Sequence, residues 1–170
     1  MRYTTPWTRK WKEAIDTNTI ATFLGLAKKA GKLEIGEEPV GAVCRSRKAA
    51  LILLASDAAP NTIRRASHFG EAGKTLQLPL PLTKEEMGFA LGRSTCAMAA
   101  LTDVGMAASL VEKLAAKDPE TYGSAQEVLS QKSQRVRQRQ KEKIAHEKNL
   151  LRGNKKPWAY SPDQNKSKSE

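Results

Sequence analysis

The sequence is poor in the side chains that build metal centres and redox sites. Its two cysteines, Cys44 and Cys96, form no Cys-x-x-Cys pair, and its two histidines, His68 and His146, stand far apart. A structural zinc needs about four clustered nitrogen or sulfur ligands, so no metal site is expected. Two isolated thiols fit a reducing compartment and a packing role. The expected location is therefore the cytoplasm. No apolar run approaches the roughly 20 residues that cross a bilayer, and the N-terminus has no secretory apolar stretch. Adjacent carboxylates occur at Glu37 and Glu38, but no base or nucleophile accompanies them. An enzyme is not expected, and no catalytic residue or cofactor is assigned.

Positive charge is abundant. The formal net charge is +11. It divides unevenly: +2 over residues 1–19, +3 over 20–116 and +6 over 117–170. Each cation that neutralises a phosphate releases condensed counterions, so a nucleic acid is the natural partner class. The middle region has the charge balance of an ordinary globular domain, and the C-terminal region is the basic arm.

The pattern between residues 17 and 116 alternates helices with short strands. Thr17-Asn18-Thr19 forms a capping cluster, followed by Ile20, Phe23, Leu24 and Ala27 at helical spacing and a stop at Gly31. Leu33 and Ile35 alternate as in a short strand. Gly36 turns the chain into a second helix, whose acidic first turn and Pro39 suit a helix start and whose inward face is Val40, Val43 and Cys44. Residues 50–55 are continuously apolar and too short for a helix, which predicts a strand buried on both faces. Pro60-Asn61-Thr62 opens a third helix with Ile63 and Ala66 inward and His68 on its surface. Leu76, Leu78 and Leu80 predict another strand, Thr83 to Glu86 a capping box, and 98–101 a fourth strand. Asp103 starts a helix with Met106, Leu110 and Leu114 inward. This alternation predicts an α/β fold: a three-layer α/β/α sandwich on a short mixed sheet.

A domain boundary is expected near Lys117-Asp118-Pro119. Residues 1–19 then form an N-terminal extension, 20–116 the domain, 117–152 a long basic helical extension and 153–170 a disordered tail. In the extension, Leu129, Val136, Ile144 and Leu151 make one thin apolar stripe, too sparse for a coiled coil. Trp7 and Trp11 alternate with Arg9, Lys10 and Lys12. Trp158 and Tyr160 lie in the tail. Both sets suit either stacking on nucleotides or packing on the domain.

Three blocks in the domain go beyond composition: Ala-Lys-Lys-Ala-Gly-Lys-Leu (27–33) with Gly36-Glu37-Glu38, Leu-Ile-Leu-Leu-Ala-Ser-Asp (51–57), and Gly92-Arg93. Their order and spacing resemble the kink-turn-binding ribosomal protein family, specifically its bacterial ribosomal-protein-like RNA-binding branch. The superfamily includes an archaeal multifunctional ribosomal protein and the core protein of box C/D RNA particles. The resemblance covers residues 20–115. It implies the sandwich fold, a structured and kinked RNA as ligand, and translation or ribonucleoprotein work. In RNA-binding members the turn after the first strand reads Gly-x-Asn-Glu-x-x-Lys. Here Gly36 is kept, while Glu38, Pro39 and Ala42 stand where that pattern has Asn, Glu and Lys. A second family loop, which contacts a flipped-out base, falls on residues 91–96.

The expected RNA-binding residues are Lys28, Lys29, Lys32, Gly36, Glu37, Glu38, Arg93, Ser94 and Thr95 at the domain's corner, and Arg135, Arg137 and Arg139 on the arm. Lysines near a helix end can equally serve the helix dipole, Glu37 and Glu38 can be dipole partners, and 93–95 can be a solvated loop. The expected partner is structured RNA, ribosomal or otherwise kinked, bound by a monomer without a membrane. The competing reading is a protein–protein adaptor or dimerisation module on the same fold that has lost kink-turn specificity.

Overall fold

The computed structural model describes residues 17–153. They form an α/β fold. In chain order the elements are α1 (Thr17–Lys29), β1 (Leu33–Ile35), α2 (Glu37–Arg45), β2 (Leu51–Leu54), α3 (Pro60–Gly73), β3 (Leu76–Pro79), α4 (Lys84–Ala90), β4 (Met98–Leu101), α5 (Val104–Lys117) and α6 (Pro119–Gly153). The sheet order is β1-β4-β2-β3. The β1–β4 and β4–β2 pairs are antiparallel and β2–β3 is parallel. The sheet is thus short and mixed, as the alternation of elements implied.

The pleat of the sheet sorts the core into two layers. Leu51, Leu53, Ala99 and Leu101 face a cluster containing Ile20 and Leu24 of α1, Met87 of α4 and Leu110 and Leu114 of α5. Ile52, Leu54, Met98 and Ala100 face the other way, onto Val40 and Cys44 of α2 and Ala66 of α3. Central strands β2 and β4 are buried at every position, which is why residues 50–55 are uniformly apolar. Pro79 pairs with Leu54 on the outermost strand, where a missing amide is tolerated.

Local signals account for the helix boundaries. Thr83 accepts from Glu86 N at 3.2 Å while the Glu86 carboxylate accepts from Thr83 N at 2.8 Å, a complete capping box. Asp103 caps α5 through Met106 N at 3.0 Å. The first helix departs from expectation: the capping cluster Thr17, Asn18 and Thr19 is already helical. Asn18 and Thr19 are exposed, so polar side chains cost little there. The third helix is rotated relative to expectation. Its buried face is Thr62, Ala66 and Gly70, and Ile63 is 44% exposed. Small residues at i, i+4 and i+8 let α3 lie close to the sheet, a pairing that the apolar count of a single helix does not reveal.

The C-terminal helix begins where the sequence breaks. Asp118 Oδ1 accepts from Thr121 N at 3.3 Å, with Pro119 as the first helical residue. The core does not stop at this break. Tyr122, Ala125 and Leu129 are buried in the larger core cluster, and the compact unit extends to Ser133. The Tyr122 hydroxyl donates to Pro79 O at 2.6 Å, tying α6 to the edge strand. Residues 134–153 form a separate helical unit in which every residue is exposed.

Candidate nucleic-acid interface

Antiparallel pairing creates the corner. Ile35 lies opposite Ala99, so the end of β1 meets the start of β4. The Gly36–Glu38 turn and the 92–97 loop, some sixty residues apart in sequence, therefore become neighbours. One carbonyl holds them together. Met98 O accepts from Gly36 N at 3.0 Å and from Cys96 Sγ at 3.3 Å. Burial pushes the Cys96 thiol above its usual pKa, outweighing the opposing effects of that hydrogen bond and of Arg93. The thiol is a packing and bonding group here, as its isolation in the sequence implied.

Gly36 has φ +99° and ψ 162°, a region that is essentially glycine-only. It leads into α2, whose first-turn residue Glu37 accepts from Thr62 Oγ1 at 3.3 Å and from Arg65 Nη1 of α3. Glu37 is therefore engaged inside the protein. Glu38 and Pro39 are exposed beside it.

The second loop is held against α4. Arg93 N donates to Gly88 O at 2.8 Å and Cys96 N to Lys84 O at 2.9 Å. A side chain at Gly88 would come within 2.7 Å of Thr95 Cα, so glycine is what allows this close return. Arg93, Ser94 and Thr95 point their surface to solvent. At the front of the loop, Lys28 Nζ donates to Leu91 O at 2.5 Å, satisfying a carbonyl at the C-terminus of α4.

The structure therefore places Gly36 against Met98 at the end of the 92–97 loop and Lys28 against Leu91 at its start, while Glu37 and Glu38 face a groove lined by Arg45, Arg65 and Phe69 of α2 and α3. Lys29 is exposed next to Lys28. Lys32 is not part of this grouping: its carbonyl accepts from Thr102 N at 2.9 Å and Thr102 Oγ1 at 3.2 Å, at the opposite end of β1 from Gly36. The second unit is described by itself. Between 134 and 153 it carries seven Lys/Arg and two Glu, and Arg135, Arg137 and Arg139 are exposed. Arg135 and Arg139 share a face at i, i+4 spacing, with Arg137 turned away. Val136, Ile144 and Leu151 of the expected stripe are exposed as well.

Two residues escaped the sequence reading. Phe89 of α4 is 89% exposed and Leu26 of α1 is 58% exposed. A signal for Phe89 was present: once Met87, Ala90 and Leu91 define the inward face, Phe89 must point away from it. Trp7, Trp11, Trp158 and Tyr160 lie outside the described residues. Among the described residues no group of three or more His, Cys, Asp or Glu is placed to hold a metal, and no helix is long and apolar enough to cross a membrane.

Comparison with known proteins reaches the fold. No family model matches the chain. A protein of unknown function from Bacillus halodurans is similar in structure, with a TM-score of 0.51 and 23% identity, over 55% of this chain and 94% of the other. A 15.5 kD RNA-binding protein from Giardia lamblia aligns with a TM-score of 0.48 and 14% identity, over 59% of this chain and 85% of the other. The first of these likenesses shows a shared fold over a little more than half of the chain.

Proposed function

We propose that this chain is a non-enzymatic RNA-binding protein that acts on ribosomal or other structured RNA. The observation that carries the reading is the helix over residues 134–153: seven cations against two acids, with every residue exposed. Such a surface builds no core. Its chemistry fits a phosphate backbone, whose neutralisation gives sequence-independent affinity.

The corner supplies the selective part. The Gly36 turn and the Gly92–Thr95 loop are adjacent, fixed by backbone bonds, and bordered by Lys28 and Lys29. The resemblance of residues 20–115 to kink-turn binders favours a bent RNA element at this place. Glu38 can accept from guanine amino groups, which partly compensates for the Asn that the family pattern has there. The reading as a binder rather than a catalyst rests on how the corner's reactive groups are used: Glu37 is paired with Arg65, and the Cys96 thiol is buried, which raises its pKa.

The test is competition between a kinked RNA and a plain duplex for the full chain and two variants. Replacing Arg135, Arg137 and Arg139 by Gln should weaken both RNAs alike. Glu38→Ala, which removes an exposed acceptor for guanine amino groups, should reduce only the preference for the kinked RNA. A wild type without that preference would remove kink recognition from the proposal, and one that binds neither RNA would favour the adaptor reading.

A further inference from the structure

The crease between α1 and α4 adjoins the corner, sharing Lys28, Lys29 and Arg93 with it, and it has the features of a second contact surface. Phe89, 89% exposed, stands on its α4 wall, and Leu26, 58% exposed, on its α1 wall. A groove of about 670 Å³ runs past Ala21, Phe89 and Arg93. A second, of about 480 Å³, continues past Thr22, Leu26, Lys29 and Gly92. Cations border the path: Arg93 in the first groove and Lys28 and Lys29, at the end of α1, in the second. The acids nearby are Glu85 and Glu86. The Glu86 carboxylate is held by Thr83 N in the capping box.

These features distinguish between occupants. A docked helix or a second copy of the chain needs a contiguous apolar patch of a few hundred Å², and here the two exposed apolar side chains line separate grooves among charged and polar neighbours. One exposed ring beside Arg93, with Lys28 and Lys29 along the adjoining groove, is instead the arrangement that takes a nucleobase with its flanking phosphates. A duplex cannot use the ring, because its bases are already stacked on each other. We propose that the α1–α4 crease takes a short single-stranded RNA segment, with an unstacked base on the Phe89 ring and neighbouring phosphates on Lys29 and Arg93. The inference rests on the RNA-binding reading above and extends it. Arg93 belongs to both surfaces, so nucleotides leaving a bent element at the corner can continue into the crease.

The experiment uses the full chain, a short oligouridine and a plain RNA duplex. Phe89→Ala should weaken oligouridine binding by about tenfold and leave duplex binding unchanged, while Phe89→Trp restores the oligouridine affinity. Because the ring is exposed, Phe89→Ala should keep the wild-type melting curve. Photo-crosslinking of a 4-thiouridine oligomer should label the peptide that contains Phe89. Unchanged oligouridine binding in Phe89→Ala overturns the crease proposal and leaves the wider RNA-binding reading intact. A wild type that binds neither RNA overturns both. Loss of self-association in Phe89→Ala, with RNA binding unaltered, overturns the proposal by assigning the crease to a second copy of the chain.

Discussion

The folded body over residues 17–133 and the helical arm over 134–153 put charge to opposite uses. In the body, charged side chains do structural work. Lys28 satisfies a carbonyl at the end of α4, Glu37 bonds Thr62 and Arg65 of α3, and Asp103 and Glu86 cap helices. In the arm the cations outnumber the acids and all are exposed. A side-chain hydrogen bond within it, Gln138 Nε2 to Glu142 Oε1 at 2.9 Å, runs along the helix itself. The body's charges stabilise a shape, whereas the arm's charges add a field. Net charge by itself would have hidden this division, because it assigns the same sign to both.

The comparison can be broken most severely at the boundary. A chain ending at Lys117 loses Tyr122, Ala125 and Leu129 from the core. Losing buried Tyr and Leu costs about 2–5 kcal/mol each, so the melting temperature should fall by roughly 20 °C or more. A chain ending at Ser133 should melt within about 2 °C of the full protein, since it loses only exposed residues. Equal melting of the two truncated chains would mean that the start of α6 belongs with the arm.

Within the body, Gly36→Ala should cost about 1–3 kcal/mol, because its φ and ψ suit glycine alone; denaturant midpoints measure it. Tyr122→Phe leaves Pro79 O without its partner and should cost about 1–2 kcal/mol. The tyrosine also gives a pH dependence. Burial, with a smaller contribution from the Asp118 charge, raises its pKa in the folded protein. A raised folded value means its stabilisation is complete below the ordinary phenol value of about 10 and is lost as pH rises above it. Stability of the wild type should therefore decline more steeply above that pH than stability of Tyr122→Phe. The smallest effect is expected at Glu37→Gln. Its partner Arg65 is mostly exposed, and such pairs contribute at most about 1 kcal/mol.

Much of the body was legible because its signals are local. The apolar run at 50–55 is a doubly buried strand, and the Thr83–Glu86 spacing is a capping box. What was not legible depends on partners distant in sequence. The order β1-β4-β2-β3, which brings Gly36 next to the 92–97 loop, follows from pairings that no local window contains. Ile63 was placed inward because it is apolar, yet the close approach of α3 through Ala66 and Gly70 turned it outward. The burial of Tyr122 and Leu129 beyond the break at Asp118 was hidden for a related reason: a helix whose far half is polar gives no periodic sign that its near half is core. Of the candidate residues named from the sequence, Gly36 and Cys96 of the second loop share Met98 O, whereas Glu37 and Glu38 face α2 and α3 and Lys32 sits at the other end of β1, its amide bonded to Ala27 O of α1.

The most direct test of the division between body and arm is the salt dependence of RNA affinity for the full chain and for the chain ending at Ser133. If the arm and corner together neutralise about six phosphates, raising salt from about 50 to 200 mM should weaken the full chain's binding by roughly a thousandfold. The shorter chain should bind more weakly at low salt and show a distinctly shallower slope, while keeping any preference for a kinked RNA over a plain duplex. Identical slopes for the two chains would contradict the account, because the arm's exposed cations would then contribute nothing to the phosphate contacts.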